Sequence, residues 1–216
     1  VVNPALSCRA RGFEPLCPSC RAGREGNCEQ TAEGAFAPGM FLGICKDLNG
    51  GFAPFVAAHQ SQLFHVPPAL SADAAVMAEP VSVALQAVFD NRPAGKENVL
   101  VIGGGVIGNL VIQSVKTLAP GCRISVIEPA SFAAELATAC GADEIIPAGE
   151  VFQKTAEITG ARLYKPMIGQ ALPMGGFDRV YDTVGISSTL NLSMRVLKAL
   201  GTLSVVGIGG DVKLDL

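Results

Sequence analysis

The chain has 216 residues, 49% of them hydrophobic, and its 16 basic and 19 acidic side chains leave a net charge of −3. That length allows one large domain or two small ones with a real core. The absence of any block of like charge argues against nucleic acid as a partner, and no apolar run approaches the ~20 residues that span a bilayer.

At the N-terminus no basic segment precedes an apolar stretch and a small-residue cleavage site, so nothing marks export. Seven cysteines cannot all pair with one another, and four of them fall within the first 28 residues. A cytoplasmic chain with a four-cysteine metal lobe fits that distribution better than a secreted, disulfide-bonded one.

Residues 1–35 are rich in Cys, Arg, Gly and Glu and show neither helical nor alternating period. With little apolar surface to bury, such a segment must be held by something other than a core. Residues 51–67 read as short strands separated by turns, and Pro67-Pro68 marks a boundary. Residues 71–89 are Ala-rich and helical in composition, interrupted at Pro80.

Beyond that point the pattern alternates. Apolar runs at 99–102, 124–127, 144–146, 179–181 and 203–206 predict strands, and 107–118, 132–139 and 190–200 predict helices. Short strands with intervening helices imply a parallel sheet covered on both faces, joined by right-handed crossovers. The stretch 162–176, with two prolines and several glycines, reads as a surface excursion or a substrate or subunit contact. The expected organisation is a first domain over 1–70 and a second over 71–216.

The run Val99-Leu-Val-Ile-Gly103-Gly-Gly105-Val106-Ile107-Gly108 is a strand, a glycine turn and the start of a helix, and Glu128 follows twenty residues after the last glycine. This pattern suits a dinucleotide. Gly103 makes the tight turn, Gly105 lets the backbone approach the pyrophosphate, and Gly108 lets the helix pack close to the sheet. The helix beginning near Val106 and Ile107 turns its free N–H groups to the phosphates. Glu128 would accept from the adenosine ribose hydroxyls and repel a 2′-phosphate, which selects NAD over NADP.

Cys17-Pro-Ser-Cys20 and Cys28 form C-x2-C-x7-C, with Cys8 upstream. A C-x2-C pair bends around one ion, and two further thiolates complete a tetrahedron suited to zinc. Arg9, Arg11, Arg21 and Arg24 lie among them as candidates to offset the thiolate charge. A redox pair and free thiols are the competing readings.

These residues resemble the zinc-containing medium-chain alcohol dehydrogenase family, in particular its polyol and threonine dehydrogenase members. The resemblance is carried by the cysteine lobe, by Gly50-Gly51-Phe52-Ala53, by Ala78-Glu79-Pro80, by the glycine turn, and by Phe177-Asp178-x-x-Tyr181-Asp182-Thr183-Val184-Gly185. It implies a mainly β, GroES-like catalytic domain with a structural-zinc lobe, followed by a Rossmann-like NAD-binding domain. Cys8, Cys17, Cys20 and Cys28 would hold the structural zinc, and Glu79 would be the third protein ligand of a catalytic zinc. Thr183, Val184, Val206, Gly207 and Ile208 would lie against the nicotinamide.

The implied reaction passes hydride from a zinc-bound alkoxide to NAD, on a small alcohol or polyol, in a homodimer or homotetramer. One departure is the gap of eight residues between Cys8 and Cys17, where the family usually has two. A loop insertion costs little closure entropy, so Cys8 is expected to remain a ligand. His59 and His65 fit no metal spacing. On this resemblance the chain reads as an internal fragment, without the N-terminal catalytic-zinc segment and the C-terminal end, truncated after the fifth strand and inactive alone. The alternatives are a zinc-independent quinone or enoyl reductase and a nucleotide- and zinc-binding module without catalysis.

Overall fold

The computed structural model of the chain describes residues 1–169 and 171–215. It divides into two compact units, Val1–Val76 and Met77–Leu216.

In the first unit the regular elements are short and helical: α1 (Cys8–Arg11), α2 (Pro18–Arg21), single 3-10 turns at Glu25–Asn27 and Gln60–Gln62, and α3 (Ala72–Ala75). Beta structure among its described residues is confined to two isolated bridges, Val2↔Leu63 and Ala5↔Phe41. The expectation of a mainly β region ahead of the sheet is thereby corrected. A strand needs a neighbour to take its N–H and C=O groups, and the segments cut by Pro54, Pro67 and Pro68 form no such ladder. Phe52 and Phe55 lie exposed instead of facing a second layer.

Buried side chains take over the pairing that a sheet would supply. Arg11, only 7% exposed, donates to the carbonyls of Glu33 (2.9 Å), Phe36 (3.2 Å), Ala37 (3.0 Å) and Gly39 (2.9 Å). Gln62 Nε2 donates to the carbonyls of Asn3 and Ala5, each at 3.0 Å.

The second unit opens with α4 (Ala78–Asp90) and β1 (Asn98–Ile102), then runs α5 (Val106–Leu118), β2 (Arg123–Ile127), α6 (Ser131–Ala139) and β3 (Glu144–Ile145). It continues through α7 (Val151–Thr159), β4 (Arg162–Tyr164), β5 (Leu172–Met174), β6 (Phe177–Asp182), α8 (Ser187–Val196) and β7 (Leu197–Val205). The main sheet has the order β3-β2-β1-β6-β7, with every neighbouring pair parallel.

Strand alternation builds two cores from β1. Val99 and Val101 pack with Ala84 and Val88 of α4, Val111, Ile112 and Val115 of α5, and Ala137 of α6. Leu100 and Ile102 pack in a second cluster with Val151 of α7 and Val196 at the end of α8. Helices thus cover both faces, which is why β1 carries an unbroken apolar run.

Three details depart from the sequence reading. The helix expected over 190–200 stops at Val196, because Leu197 already pairs with Phe177 in the sheet. A helix, α7, occupies Val151–Thr159, where no element was predicted. Within 162–176, β4 and β5 form an antiparallel pair outside the main sheet.

Candidate metal centre and dinucleotide site

The thiols of Cys8, Cys17, Cys20 and Cys28 are buried, and their ligand atoms all lie within 4.8 Å of one another. Around zinc, four sulfurs at ~2.3 Å from the ion stand about 3.8 Å apart; Cys8 Sγ and Cys28 Sγ are 3.7 Å apart. The donor set and spacing therefore fit a closed tetrahedral zinc site.

Local folding makes the cluster. Cys17 is the N-cap of α2 with Pro18 at its first position, and its sulfur accepts from Cys20 N at 3.4 Å. Cys8 Sγ accepts from Cys17 N and Cys28 Sγ from Gln30 N, each at 3.4 Å. Backbone N–H groups therefore face the sulfurs. Arg11 is committed to carbonyls, and Arg9 pairs with Glu25 at 3.1 Å. The surroundings shift individual thiols differently: the Glu29 backbone N–H, above all, draws Cys17 down to about 6. Burial pushes Cys20 up to about 12 and also raises Cys8.

In the second unit the chain leaves β1 into the glycine turn, where the strand order reverses direction between β1 and β6. In open α/β sheets this switch point is where ligands bind, beyond the carboxyl ends of the strands. Gly103 has φ +96, and a Cβ there would meet Thr183 Oγ1 at 2.7 Å. A Cβ on Gly108 would lie 1.9 Å from Gly103 O, so α5 packs hard onto the turn. Gly105 differs from both: a Cβ there would meet nothing within 4 Å. It is the N-cap of α5, and no side chain caps that helix. The first N–H groups of α5 thus stand at open space, an arrangement that fits a pyrophosphate.

Glu128, just past the end of β2, accepts from Gly104 N at 2.7 Å through Oε2 and from Ala130 N at 2.8 Å through Oε1. The carboxylate is thereby held beside the turn. Exposed apolar side chains stand near the strand ends: Val106 opening α5, Val184 past β6, and Ile208 past β7. Thr183 Oγ1 donates to Ile102 O at 2.8 Å, which ties the ends of β6 and β1 together. Val206 and Gly207 donate to Asp182 O at 2.8 and 3.0 Å.

Glu79 lies exposed in the first turn of α4, with Pro80 next to it where a helix tolerates proline. Among the described residues the four-thiol cluster is the group of three or more His, Cys, Asp or Glu placed to hold a metal, so Glu79 is brought to no second donor set. His59 is exposed, with its Nδ1 2.9 Å from Ser61 Oγ, and His65 is also exposed. Sequence reasoning gave no role to Asp182 and missed what Arg11 does. An Asp at a strand end before Thr-Val-Gly is a signal for an Asx-turn; nothing local in the sequence marks the carbonyls that Arg11 collects.

Two expectations are corrected here. The resemblance implies an internal fragment lacking both the N-terminal catalytic-zinc segment and the C-terminal end, and inactive by itself because Glu79 alone cannot retain a catalytic zinc. Residues 8–28 instead form a buried four-thiol cluster that could ligate a metal. The N-terminal segment thus carries residues placed to hold a metal, and the supposed lack of such a segment gives no ground for calling the chain inactive.

Comparison with known proteins places this geometry. A family model described as zinc-binding dehydrogenase matches residues 106–216. The chain is 30% identical over 218 aligned positions to "Probable diacetyl reductase ((R)-acetoin forming) 2" of Saccharomyces cerevisiae, covering 100% of this chain and 49% of that protein. It is 28% identical over 202 positions to an L-threonine 3-dehydrogenase of Francisella philomiragia, covering 92% and 53%. A solved structure from Sinorhizobium meliloti, described as a zinc-binding dehydrogenase bound to NADP, superimposes with a TM-score of 0.75 at 26% identity, covering 100% of this chain and 56% of that one. The chain spans about half the length of the curated relatives it matches.

Proposed function

The chain belongs to the zinc-binding dehydrogenase family, and on that premise we propose that it serves an oxidoreductase that exchanges hydride between a small alcohol or polyol and NAD. The observation that carries this reading is the glycine turn at the β1/β6 switch point, with open space at Gly105 and Glu128 held beside it. The relatives named for diacetyl, acetoin and threonine support a small hydroxyl or carbonyl substrate.

In this reading Gly103, Gly105, Val106, Ile107 and Gly108 bind the pyrophosphate through backbone N–H groups and close approach. Glu128 takes the ribose hydroxyls of NAD. Thr183, Val184, Val206, Gly207 and Ile208 hold the nicotinamide against the strand ends, where exposed apolar side chains exclude water from one face of the ring. NAD supplies the hydride chemistry when bound, and the protein orients it. Cys8, Cys17, Cys20 and Cys28 hold a zinc that organises the first unit, and the four-thiol cluster counts against the zinc-independent reductase reading. Glu79 is proposed, from its motif with Pro80 and its exposure, as one ligand for a metal at the substrate end; no step is derived through it.

The same reading assigns 1–70 to a catalytic, GroES-like domain and 71–216 to the NAD-binding domain. Seven cysteines without a disulfide among the described residues suit the reducing cytoplasm, and a net charge of −3 gives no electrostatic support for nucleic acid as a partner. The decisive experiment is titration with NADH and NADPH. NADH binds more tightly, and Glu128→Ala narrows the gap about tenfold, the equivalent of one charge-assisted hydrogen bond. Tighter NADPH binding to the unaltered chain sinks the NAD assignment.

A further inference from the structure

We propose that Asp182 is a positioning residue for the nicotinamide half of the cofactor, acting by locking the loops after β6 and β7 together. The proposal rests on the cofactor reading above and deepens it.

Asp182 is fully buried at the end of β6. Its Oδ1 accepts from Val184 N at 3.0 Å and Gly185 N at 2.9 Å, folding 182–185 into a tight Asx-type turn. Its main-chain carbonyl accepts from Val206 N at 2.8 Å and Gly207 N at 3.0 Å. One residue therefore receives four backbone N–H groups, two from each loop. Those loops carry Thr183, Val184, Val206, Gly207 and Ile208.

The loops also interlock sterically. Gly185 has φ +72, and a Cβ there would lie 2.3 Å from Gly207 O; a Cβ on Gly207 would lie 2.3 Å from Val184 C. The loops pass so close that a side chain at either glycine would collide with the backbone of the other loop. Asp182 Oδ2 is buried and finds no partner among the described residues. Keeping a carboxyl there costs desolvation that an apolar residue would avoid, which points to the turn geometry as the reason for it. The adenosine half depends on other groups, Glu128 and the N-terminus of α5. Asp182 should therefore matter for one half of the dinucleotide and not the other.

The experiment measures binding of NADH and of ADP-ribose, which lacks the nicotinamide, to the unaltered chain, Asp182→Asn and Asp182→Ala. Melting of each protein is recorded alongside. Loss of the two bonds to Oδ1 weakens NADH about tenfold in Asp182→Ala, and ADP-ribose stays within about twofold. Asp182→Asn keeps an acceptor oxygen and restores NADH binding to within about threefold. If Asp182→Ala does not melt cooperatively, Asp182→Ser, which retains only a short hydroxyl acceptor, gives the same selective loss.

Equal weakening of both ligands, or NADH binding by Asp182→Ala equal to that of the unaltered chain, overturns the proposal. So does an Asp182→Asn as defective as Asp182→Ala. An unaltered chain that binds neither ligand refutes the cofactor reading itself, and the proposal with it; an unaltered chain that binds both separates the two questions.

Discussion

Arg11 shows how much one side chain can carry in a unit without a sheet. Its guanidinium supplies donors to four carbonyls spread over residues 33–39. Replacing it by Met fills similar space and leaves those carbonyls with no buried donor, a cost of about 3 kcal/mol. Chemical denaturation of Arg11→Met should report that loss, and a change below about 1 kcal/mol would show that the carbonyls find other donors. The four thiols make a complementary prediction. The unaltered chain should retain about one zinc, and Cys20→Ser or chelation should remove it and lower the melting temperature of the first unit, since structural zinc contributes folding free energy directly. Metal analysis that finds equal zinc in Cys20→Ser would dismiss the cluster as a site. Cysteine spacing was readable in the sequence; the use of Arg11 was not, because its partners lie more than twenty residues away.

Among the elements, β7 carries an irregularity. Its pairing with β6 jumps from Phe177↔Leu197 to Arg179↔Thr202, and within the extra residues Leu200 sits at φ +63. A left-handed conformation costs a side chain with a Cβ roughly 1–2 kcal/mol, and Leu200 is fully exposed, so its side chain repays none of it by packing. Leu200→Gly should therefore stabilise the chain by about 1 kcal/mol, after glycine's own entropy cost, and raise the melting temperature by roughly 2–4 °C. An unchanged or lower melting temperature would mean that the bulge relaxes in solution. The same irregularity explains the helix misread over 190–200. Helical composition continues past Val196, but sheet pairing beginning at Leu197 wins, since it satisfies backbone groups and buries Phe177. Local preference is a weak signal when tertiary pairing competes with it.

For the whole molecule, β7 ends the described sheet, with Val205 exposed along it. The parallel sheet with helices on both faces was legible from the sequence because each cue for it is local: apolar runs of strand length, glycines at the turn, and helical stretches between the runs. The glycine turn before α5 is equally local, since Gly103 is needed where the chain turns at φ +96 and Gly108 where α5 passes so near the Gly103 carbonyl. What the first unit becomes was not legible. Its apolar pieces suit strands one at a time, and only three-dimensional pairing decides whether a neighbour exists. Tertiary structure also decided that Cys8 reaches the other three thiols across its long loop, that Arg11 serves carbonyls and not thiolates, and that Asp182 binds two loops at once. Periodicity and turn chemistry act over a few residues and can be read from order alone; the partners of a buried polar group are set by where distant segments meet.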